Sequence, residues 1–145
     1  MNDCDILRMM TVVKISLKKY KEAEDLCKIM IATFPDESFP FYLLANVYSV
    51  DRKFNQSLEL LDTAIRIDPD GTHYHSLKAH IYIQQNEFAK ALECANNALS
   101  MDAEDSDALN ARATALVGLN RKDEAFETID KALETDPNNA GTHAN

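Results

Sequence analysis

Residues 39–70 read FPFYLLANVYSVDRKFNQSLELLDTAIRIDPD, and this stretch decides the fold. Its first apolar residues recur at i, i+3, i+4 and i+7, the spacing of one helix face: Phe41, Leu44, Ala45 and Tyr48. A second face of the same kind follows: Leu58, Leu61, Ala64 and Ile65. Residues 50–53 between the two faces are too few for anything except a tight turn. The stretch therefore predicts an antiparallel helical hairpin.

The hairpin pattern repeats along the chain at a step of about 34 residues. Pro35 and Pro69 are one step apart, Pro137 lies two steps further, and Ala103 stands at the position between. Small residues keep the same step, and we expect helices to approach closely at these sets: Ala45, Ala79 and Ala113; Ala64, Ala98 and Ala132; Ala23, Ser57, Ala91 and Ala125. The sequence thus predicts one domain, residues 1–145, with hairpins at about 4–37, 38–71, 72–105 and 106–139.

Local signals mark the ends of the predicted helices. One residue in each later unit is placed to cap the first helix with its side-chain oxygen: Ser38, Thr72 and Ser106. An aromatic residue precedes the second helix in three units: Tyr20, Phe54 and Phe88. Between paired helices, Asn86 and Asn120 occupy a position suited to left-handed backbone, which Asn tolerates well. Lys18 and Arg52 occupy the same position less favourably.

Composition narrows the classes of function. The 145-residue chain has 15 basic and 24 acidic residues, a net charge of −9, so binding to nucleic acid or anionic lipid is not expected. Three widely spaced cysteines, Cys4, Cys27 and Cys94, predict reduced thiols, with Cys27 and Cys94 buried and Cys4 near a flexible end. No stretch is long and apolar enough for a membrane span, and Asp3 and Asp5 do not suit a signal peptide. A cytoplasmic location is the expectation.

Two clusters of polar residues have the composition of a metal site, but neither has the spacing of metal ligands. His73 and His80 share a helix face but lie about 10 Å apart along the axis, and His75 falls at a core position. The acidic run from Asp102 to Asp107 lacks the glycine and terminal glutamate of a calcium loop. The sequence carries no nucleotide or nucleophile motif. We therefore expect no cofactor, no metal and no enzymatic activity.

The repeat resembles the tetratricopeptide repeat (TPR) family, whose signature places bulky, small, aromatic and proline residues at set offsets within each repeat. In the second unit the matching residues are Phe41, Leu44, Ala45, Tyr48, Ser57, Leu61, Ala64 and Pro69; in the fourth they are Leu109, Ala113, Leu116, Ala125, Ile129, Ala132 and Pro137. The third unit departs at Lys78 and Ala103, and the first at Thr11 and Lys14. The resemblance implies an all-α, right-handed superhelix of four hairpins, a TPR solenoid. More loosely, the chain is similar to bacterial TPR proteins, some of which continue into hydrophobic segments, and we expect it to be a fragment of a larger protein of this kind.

The resemblance also implies a function, protein–protein interaction through a concave groove lined by the first helices. Its candidate residues follow the repeat step: Arg8, Val12, Tyr42, Asn46, Ser49, His73, Ser76, His80, Ile83, Asn110, Thr114 and Val117. Tyr42 and Asn46 are the strongest of these candidates. The partner is a protein or peptide whose identity no motif reveals. The alternative is a regulatory or substrate-docking segment of a larger enzyme or membrane-anchored protein.

One family sub-function is disfavoured by the residues present. The chaperone-adaptor branch clamps a C-terminal carboxylate with Lys, Asn and Arg side chains. In one register those positions hold Tyr42, Asn46, Leu77, Asp107 and Ala111, and in the other Arg8, Val12, Leu43, His73 and Leu77. Each register offers one suitable group. We do not expect a receptor for chaperone tails.

The last six residues begin like another first helix. Residues 140–145 place His143 at the bulky position, so we expect a fifth unit to follow in the natural protein. Residues 140–145 do not complete that unit, so within this sequence the second helix of the fourth unit is expected to leave Ile129, Ala132 and Leu133 uncovered. Bare apolar surface recruits a partner, and self-association through this C-terminal edge is the expectation.

Overall fold

A computed structural model of the chain describes residues 3–135, and every regular element within that range is an α-helix. The helices of this range are α1 (Asp3–Ser16), α2 (Tyr20–Thr33), α3 (Phe39–Val50), α4 (Phe54–Ile67), α5 (Thr72–Gln84), α6 (Phe88–Met101), α7 (Ser106–Gly118) and α8 (Lys122–Thr135). The predicted all-α class is confirmed. The expectations for Pro137, His143 and the start of a fifth unit fall outside the described residues.

Short turns of one type join the helices of each pair. The second turn residue has left-handed backbone in all four pairs, with φ of 60°, 59°, 60° and 61° at Lys18, Arg52, Asn86 and Asn120. The next residue donates its N–H five residues back, as Lys19 does to the Lys14 carbonyl at 2.8 Å. This 6→1 bond ends a helix in a Schellman motif. The prediction of left-handed turns is confirmed at all four positions.

The chain forms two compact units, each larger than one helical hairpin: the first unit ends at Tyr74 and the second unit begins at His75. In the first unit, α1 packs on α2 and α3, α2 on α3, and α3 on α4. The buried residues Cys27, Met30, Leu43 and Leu44 form one cluster. Partly buried side chains from α1, α3 and α4 surround that cluster, among them Leu7, Tyr42 and Leu60. Apolar faces of successive hairpins thus supply the core of this unit.

In the second unit, α6 packs on α7 and α7 on α8. The central cluster consists of small side chains, Ala79, Cys94, Ala95 and Ala111, flanked by Tyr82 and Ile83. Small residues at a helix interface let the two backbones approach closely. The alanine positions of the repeat therefore build the core by bringing helices together.

The predicted close-approach positions are buried, except for Ala132, which is half-buried near the end of α8. Ala23, Ser57 and Ala91 are fully buried, and Ala125 is nearly so. Ser57 is the one polar member of this set, and its hydroxyl donates to the Ala45 carbonyl at 2.8 Å. A hydroxyl is tolerated there because a carbonyl of the paired helix accepts its hydrogen bond.

The predicted capping residues are wrong. Ser106 and Thr72 are the first residues of α7 and α5 and do not precede them. Asp105 is the actual N-cap of α7, accepting a hydrogen bond from the Asp107 N–H at 3.1 Å. Ser38 does precede α3, but its hydroxyl bonds the Tyr74 hydroxyl at 2.6 Å and makes no cap bond.

Two smaller expectations also change. Tyr20, Phe54 and Phe88 are the first residues of the second helices and do not precede them. Cys4 is buried in the first turn of α1, together with the expected Cys27 and Cys94. Burial is the first cause of its raised pKa, and Glu37 and Asp5 add to it. Cys4 was expected near a flexible end and not among the buried cysteines, and the structure places its thiol in a buried position.

Candidate partner-binding groove

The candidate residues of the first unit lie on α1, on α3 and at the start of α5. The Arg8 guanidinium lies over the Phe39 ring, 4.8 Å from its centroid. One repeat later, the Tyr42 ring lies 6.2 Å from the His73 ring, with the planes tilted by 35°. Residues 8 and 42 are equivalent by the repeat step, as are 39 and 73. The same two repeat positions are therefore in contact in two successive repeats.

Tyr42 is held in place by Tyr74, a residue that sequence reasoning did not select. The two rings lie 5.5 Å apart at 51°, within the range for tilted aromatic pairs. Tyr74 is buried, and its hydroxyl bonds Ser38. Its ring packs so closely on Gly71 that a Cβ at that position would overlap the ring. Because both the ring and the hydroxyl of Tyr74 are held in place, this residue gives Tyr42 a rigid support.

The remaining candidates of the first unit are accessible or half-buried. Val12 is exposed on α1. The Asn46 amide donates to the Tyr42 carbonyl at 3.2 Å, and the Ser49 hydroxyl donates to the Asn46 carbonyl at 2.9 Å. These bonds stay within α3 and fix the two side chains against their own helix. The surface here combines one cation, aromatic rings and uncharged polar groups.

The second unit differs from the sequence-based expectation at one position. Ser76 is buried, and its hydroxyl donates to Asp105 Oδ2 at 2.9 Å, so it is engaged by the loop before α7. The other candidates of this unit keep accessible surface. His80 and Ile83 are half-buried, whereas three on α7 are exposed: Asn110, Thr114 and Val117. The Thr114 hydroxyl donates to the Asn110 carbonyl at 2.9 Å.

Sequence reasoning missed one residue of the candidate groove, Phe39, and an apolar depression on α1 that includes Met9. Phe39 lies under Arg8, and it could have been found because it is one repeat before His73, which was selected. Met9 lines a shallow, mainly apolar depression on α1 together with Asp5, Arg8, Val12 and Val13. No periodic signal marks Met9 as accessible, because its counterparts Leu43 and Ala111 are buried.

A second depression, of about 280 Å³, lies between α2 and α3 and has a different chemistry. Tyr48 donates to Glu24 Oε2 at 2.9 Å, and Lys28 lies 3.1 Å from the same carboxylate. These hydrogen bonds lower the pKa of Glu24. The polar network joins two helices of the core and does not include the candidate groove residues.

Over residues 3–135, no three potential metal-ligating side chains come together. Among the helices α1 to α8, none has the length and apolar character needed to cross a membrane.

Two family models match the sequence, and both describe a tetratricopeptide repeat. One matches residues 14–81 and the other residues 76–140, so that together they cover most of the chain. No curated protein matches the sequence closely enough to count as a relative.

Solved structures of TPR proteins resemble this chain over nearly its whole length. TTC0263, a thermophilic TPR protein of Thermus thermophilus, is 22% identical with a TM-score of 0.86, covering 97% of this chain and 78% of its own. MamA from Desulfovibrio magneticus RS-1 is 16% identical with a TM-score of 0.80, covering 94% and 78%. YrrB, described as a TPR protein with an unusual peptide-binding site, is 18% identical with a TM-score of 0.76, covering 94% and 71%. These likenesses establish the predicted all-α superhelix of helical hairpins.

Proposed function

This chain belongs to the tetratricopeptide repeat family, and on that premise we propose that it binds an extended or helical segment of a partner protein along its first helices. The fold is that of a protein-interaction scaffold. The twelve candidate residues, apart from the buried Ser76, supply the proposed contact surface. Within the first unit the contact centres on Arg8, Phe39, Tyr42 and His73.

The observation that supports this proposal most strongly is the repeated ring contact on one face of the first unit. Arg8 on Phe39 and Tyr42 beside His73 present flat apolar surfaces with polar edges. Tyr and Arg are enriched among the residues that dominate protein interfaces: Tyr offers a large contact area with few rotatable bonds, and Arg offers a planar cation with several hydrogen-bond donors. Since Tyr74 fixes Tyr42 before a partner arrives, less conformational entropy is lost on binding.

The chemistry of this face indicates the kind of segment that it would hold. Arg8 is the cation among the proposed contacts of the first unit, and the remaining contacts are aromatic or uncharged. A complementary segment carries an apolar or aromatic anchor for the rings and a carboxylate or carbonyl near Arg8. YrrB is described as having a peptide-binding site on this fold, which supports the proposal by analogy.

The test is to select peptides from a random library on the full chain and to measure their affinity by fluorescence anisotropy. We expect Tyr42→Ala to weaken the selected peptides by about tenfold or more, as for an interface anchor. Asn46→Ala is expected to weaken them less, and Tyr42→Phe, which keeps the ring, least.

Asn97→Ala is the matched control, because Asn97 is exposed on the second helix α6, away from the proposed contacts. Circular dichroism verifies that each variant stays folded. Peptides that bind Tyr42→Ala and Asn46→Ala as tightly as the original chain, or that photo-crosslink to α4 and α6, contradict the proposed groove.

A further inference from the structure

The two edges of the first unit carry opposite charges. The turns that follow α1 and α3 lie at one edge, because α2 runs antiparallel between these helices, and the loops that follow α2 and α4 lie at the other. At the turn edge, residues 17–21 and 51–53 hold five basic residues and one acid. At the loop edge, residues 34–38 and 68–71 hold four acids and no basic residue. An acidic chain thus presents a locally basic edge.

The basic side chains of the two turns are accessible. Lys18, Lys19, Arg52 and Lys53 are all exposed, and we call these four residues the basic edge. Within the described range 3–135, neither Lys18 nor Lys19 forms an ion pair. Lys53 lies 3.4 Å from Asp51, but both side chains are exposed, and such a pair contributes little. The charge of this edge is therefore available to a partner.

Two of these cations occupy positions with strained backbone. Lys18 and Arg52 have φ of 60° and 59°, whereas the same repeat position in the second unit holds Asn86 and Asn120. Asn tolerates left-handed backbone better than a long side chain does. Strain of this kind clusters at ligand-binding sites. Both departures from Asn bring a cation to the same edge, which supports a binding role for that edge.

The depression between α2 and α3 lies between the two basic turns. Tyr20 and Lys21 line it from just after the first turn, and Tyr48, Val50 and Lys53 line it beside the second. The Lys53 ammonium lies 5.4 Å from the centre of the Tyr48 ring. The basic edge therefore adjoins a recess with aromatic and aliphatic walls, which can accept one apolar side chain.

We propose that the basic edge is a second docking surface, separate from the first-helix groove, and that it binds an acidic segment of a partner protein. α1 packs on α3, and packed helices lie about 8–10 Å apart. The two pairs of cations are therefore separated by about three residues of an extended chain. The segment has carboxylates at that spacing for the cations, and an apolar side chain between them for the depression.

The position of the acids favours a peptide over nucleic acid or an anionic membrane. The loop edge is about 20 Å away along helices of 14 residues, and physiological salt screens charges beyond about 8 Å. Its acids therefore do not oppose a short segment at the basic edge. Glu24 and Asp51, in contrast, line the depression itself, where they repel a continuous array of phosphates. A peptide can place backbone N–H groups beside these carboxylates.

The experiment measures fluorescence anisotropy of a labelled peptide, Glu-Glu-Phe-Glu-Glu, with the full chain at low salt. We expect binding that is lost as salt is added, and no binding when Gln replaces each Glu. The double variant Lys18→Asn/Arg52→Asn should weaken binding by about tenfold or more. It installs the residue type that the turns of the second unit hold, so the fold is retained, and circular dichroism verifies this.

Two controls separate this surface from its surroundings. Arg66→Asn makes the same chemical change at an exposed cation near the end of α4, on the loop edge, and should leave binding of the acidic peptide unchanged. Tyr42→Ala, which disables the proposed first-helix groove, should also leave it unchanged. The two proposals can therefore fail independently of each other.

Three outcomes overturn the proposal. The first is an acidic peptide that does not bind the original chain at concentrations up to about 1 mM, a weak limit for specific association. The second is a double variant that binds the peptide as tightly as the original chain does. The third is tighter binding of phosphatidylserine vesicles or duplex DNA that the double variant loses, which would make the basic edge a phosphate-binding surface.

Discussion

At the scale of single residues, the four turn positions show how one backbone requirement is met by unequal side chains. All four adopt φ close to 60°, a conformation in which Cβ crowds the following carbonyl. Asn86 and Asn120 tolerate this conformation, because a short polar side chain can bond locally. Lys18 and Arg52 are held there by the Schellman bonds and by helix packing. The first two turns therefore store strain that the last two do not.

We expect Lys18→Asn to raise the free energy of unfolding by up to about 1 kcal/mol, because it relieves part of the left-handed strain. Urea unfolding followed by circular dichroism measures this change. The reciprocal substitution Asn86→Lys is the control and should lower stability by a similar amount. Equal stability of all three proteins would mean that the turn conformation is set by packing alone.

Cys27 provides a pH-dependent prediction. Burial raises its pKa to about 12 from an ordinary value of 9.0, so the thiol stays protonated in the folded chain. Because the folded state disfavours the thiolate, this residue should lower the stability of the fold as pH rises from 9 towards 12. We expect iodoacetamide to leave Cys27 unmodified in the native chain near the ordinary thiol pKa, and to modify it in urea. Rapid native alkylation, mapped by mass spectrometry, would contradict the burial of this thiol.

At the scale of helices, the repeat pattern predicted the elements well and their local chemistry less well. The hairpins, the turn conformation and the small-residue contacts follow from spacing, because helix geometry and close packing act at fixed intervals. The residues that cap the helices could not be predicted from this spacing. Ser38 is engaged by Tyr74, which lies in the next repeat, and Asp105 competes successfully with Ser106. The prediction that Ser76 is accessible was wrong for the same reason, because its hydrogen-bond partner, Asp105, lies on another segment.

Asp105→Ala should lower the free energy of unfolding by about 1–2 kcal/mol, because it removes the cap of α7 and leaves the buried Ser76 hydroxyl without its acceptor. Ser106→Ala is the matched control, and we expect it to have little effect, because Ser106 is exposed within the first turn. Thermal and urea unfolding of both variants check the assignment. A larger loss of stability for Ser106→Ala than for Asp105→Ala would instead support Ser106 as the cap of α7.

The close-approach positions give a second prediction at this scale. Ala91 is fully buried on α6, and Ala91→Leu should destabilise the chain by about 1–3 kcal/mol through overpacking. Ala89→Leu makes the same chemical change two residues earlier, where the side chain is exposed. We expect that control to remain within about 0.5 kcal/mol of the original chain. Equal effects at both positions would show that α6 does not approach its neighbours closely.

At the scale of the whole molecule, a repeat architecture determines how stability is distributed. Each hairpin covers its neighbours, so stability is close to a sum of hairpin and interface contributions. The first unit carries larger core side chains, such as Met30 and Leu43, and the second carries mainly alanine. Local contacts dominate both units. Such a chain is expected to lose structure in parts, unlike a globule with one central core.

Matched leucine truncations in the two units test this distribution. Leu61 on α4 and Leu116 on α7 are both fully buried, and each Leu→Ala change should cost about 2–5 kcal/mol at its own site. Hydrogen exchange with mass spectrometry, read peptide by peptide, should show that Leu116→Ala reduces protection mainly in α6 to α8. Leu61→Ala should reduce it mainly in α2 to α4. Because neighbouring hairpins share an interface, the effect should decline from one hairpin to the next. If either variant lowers protection equally from α1 to α8, the chain unfolds as one cooperative body and the nearest-neighbour description is wrong.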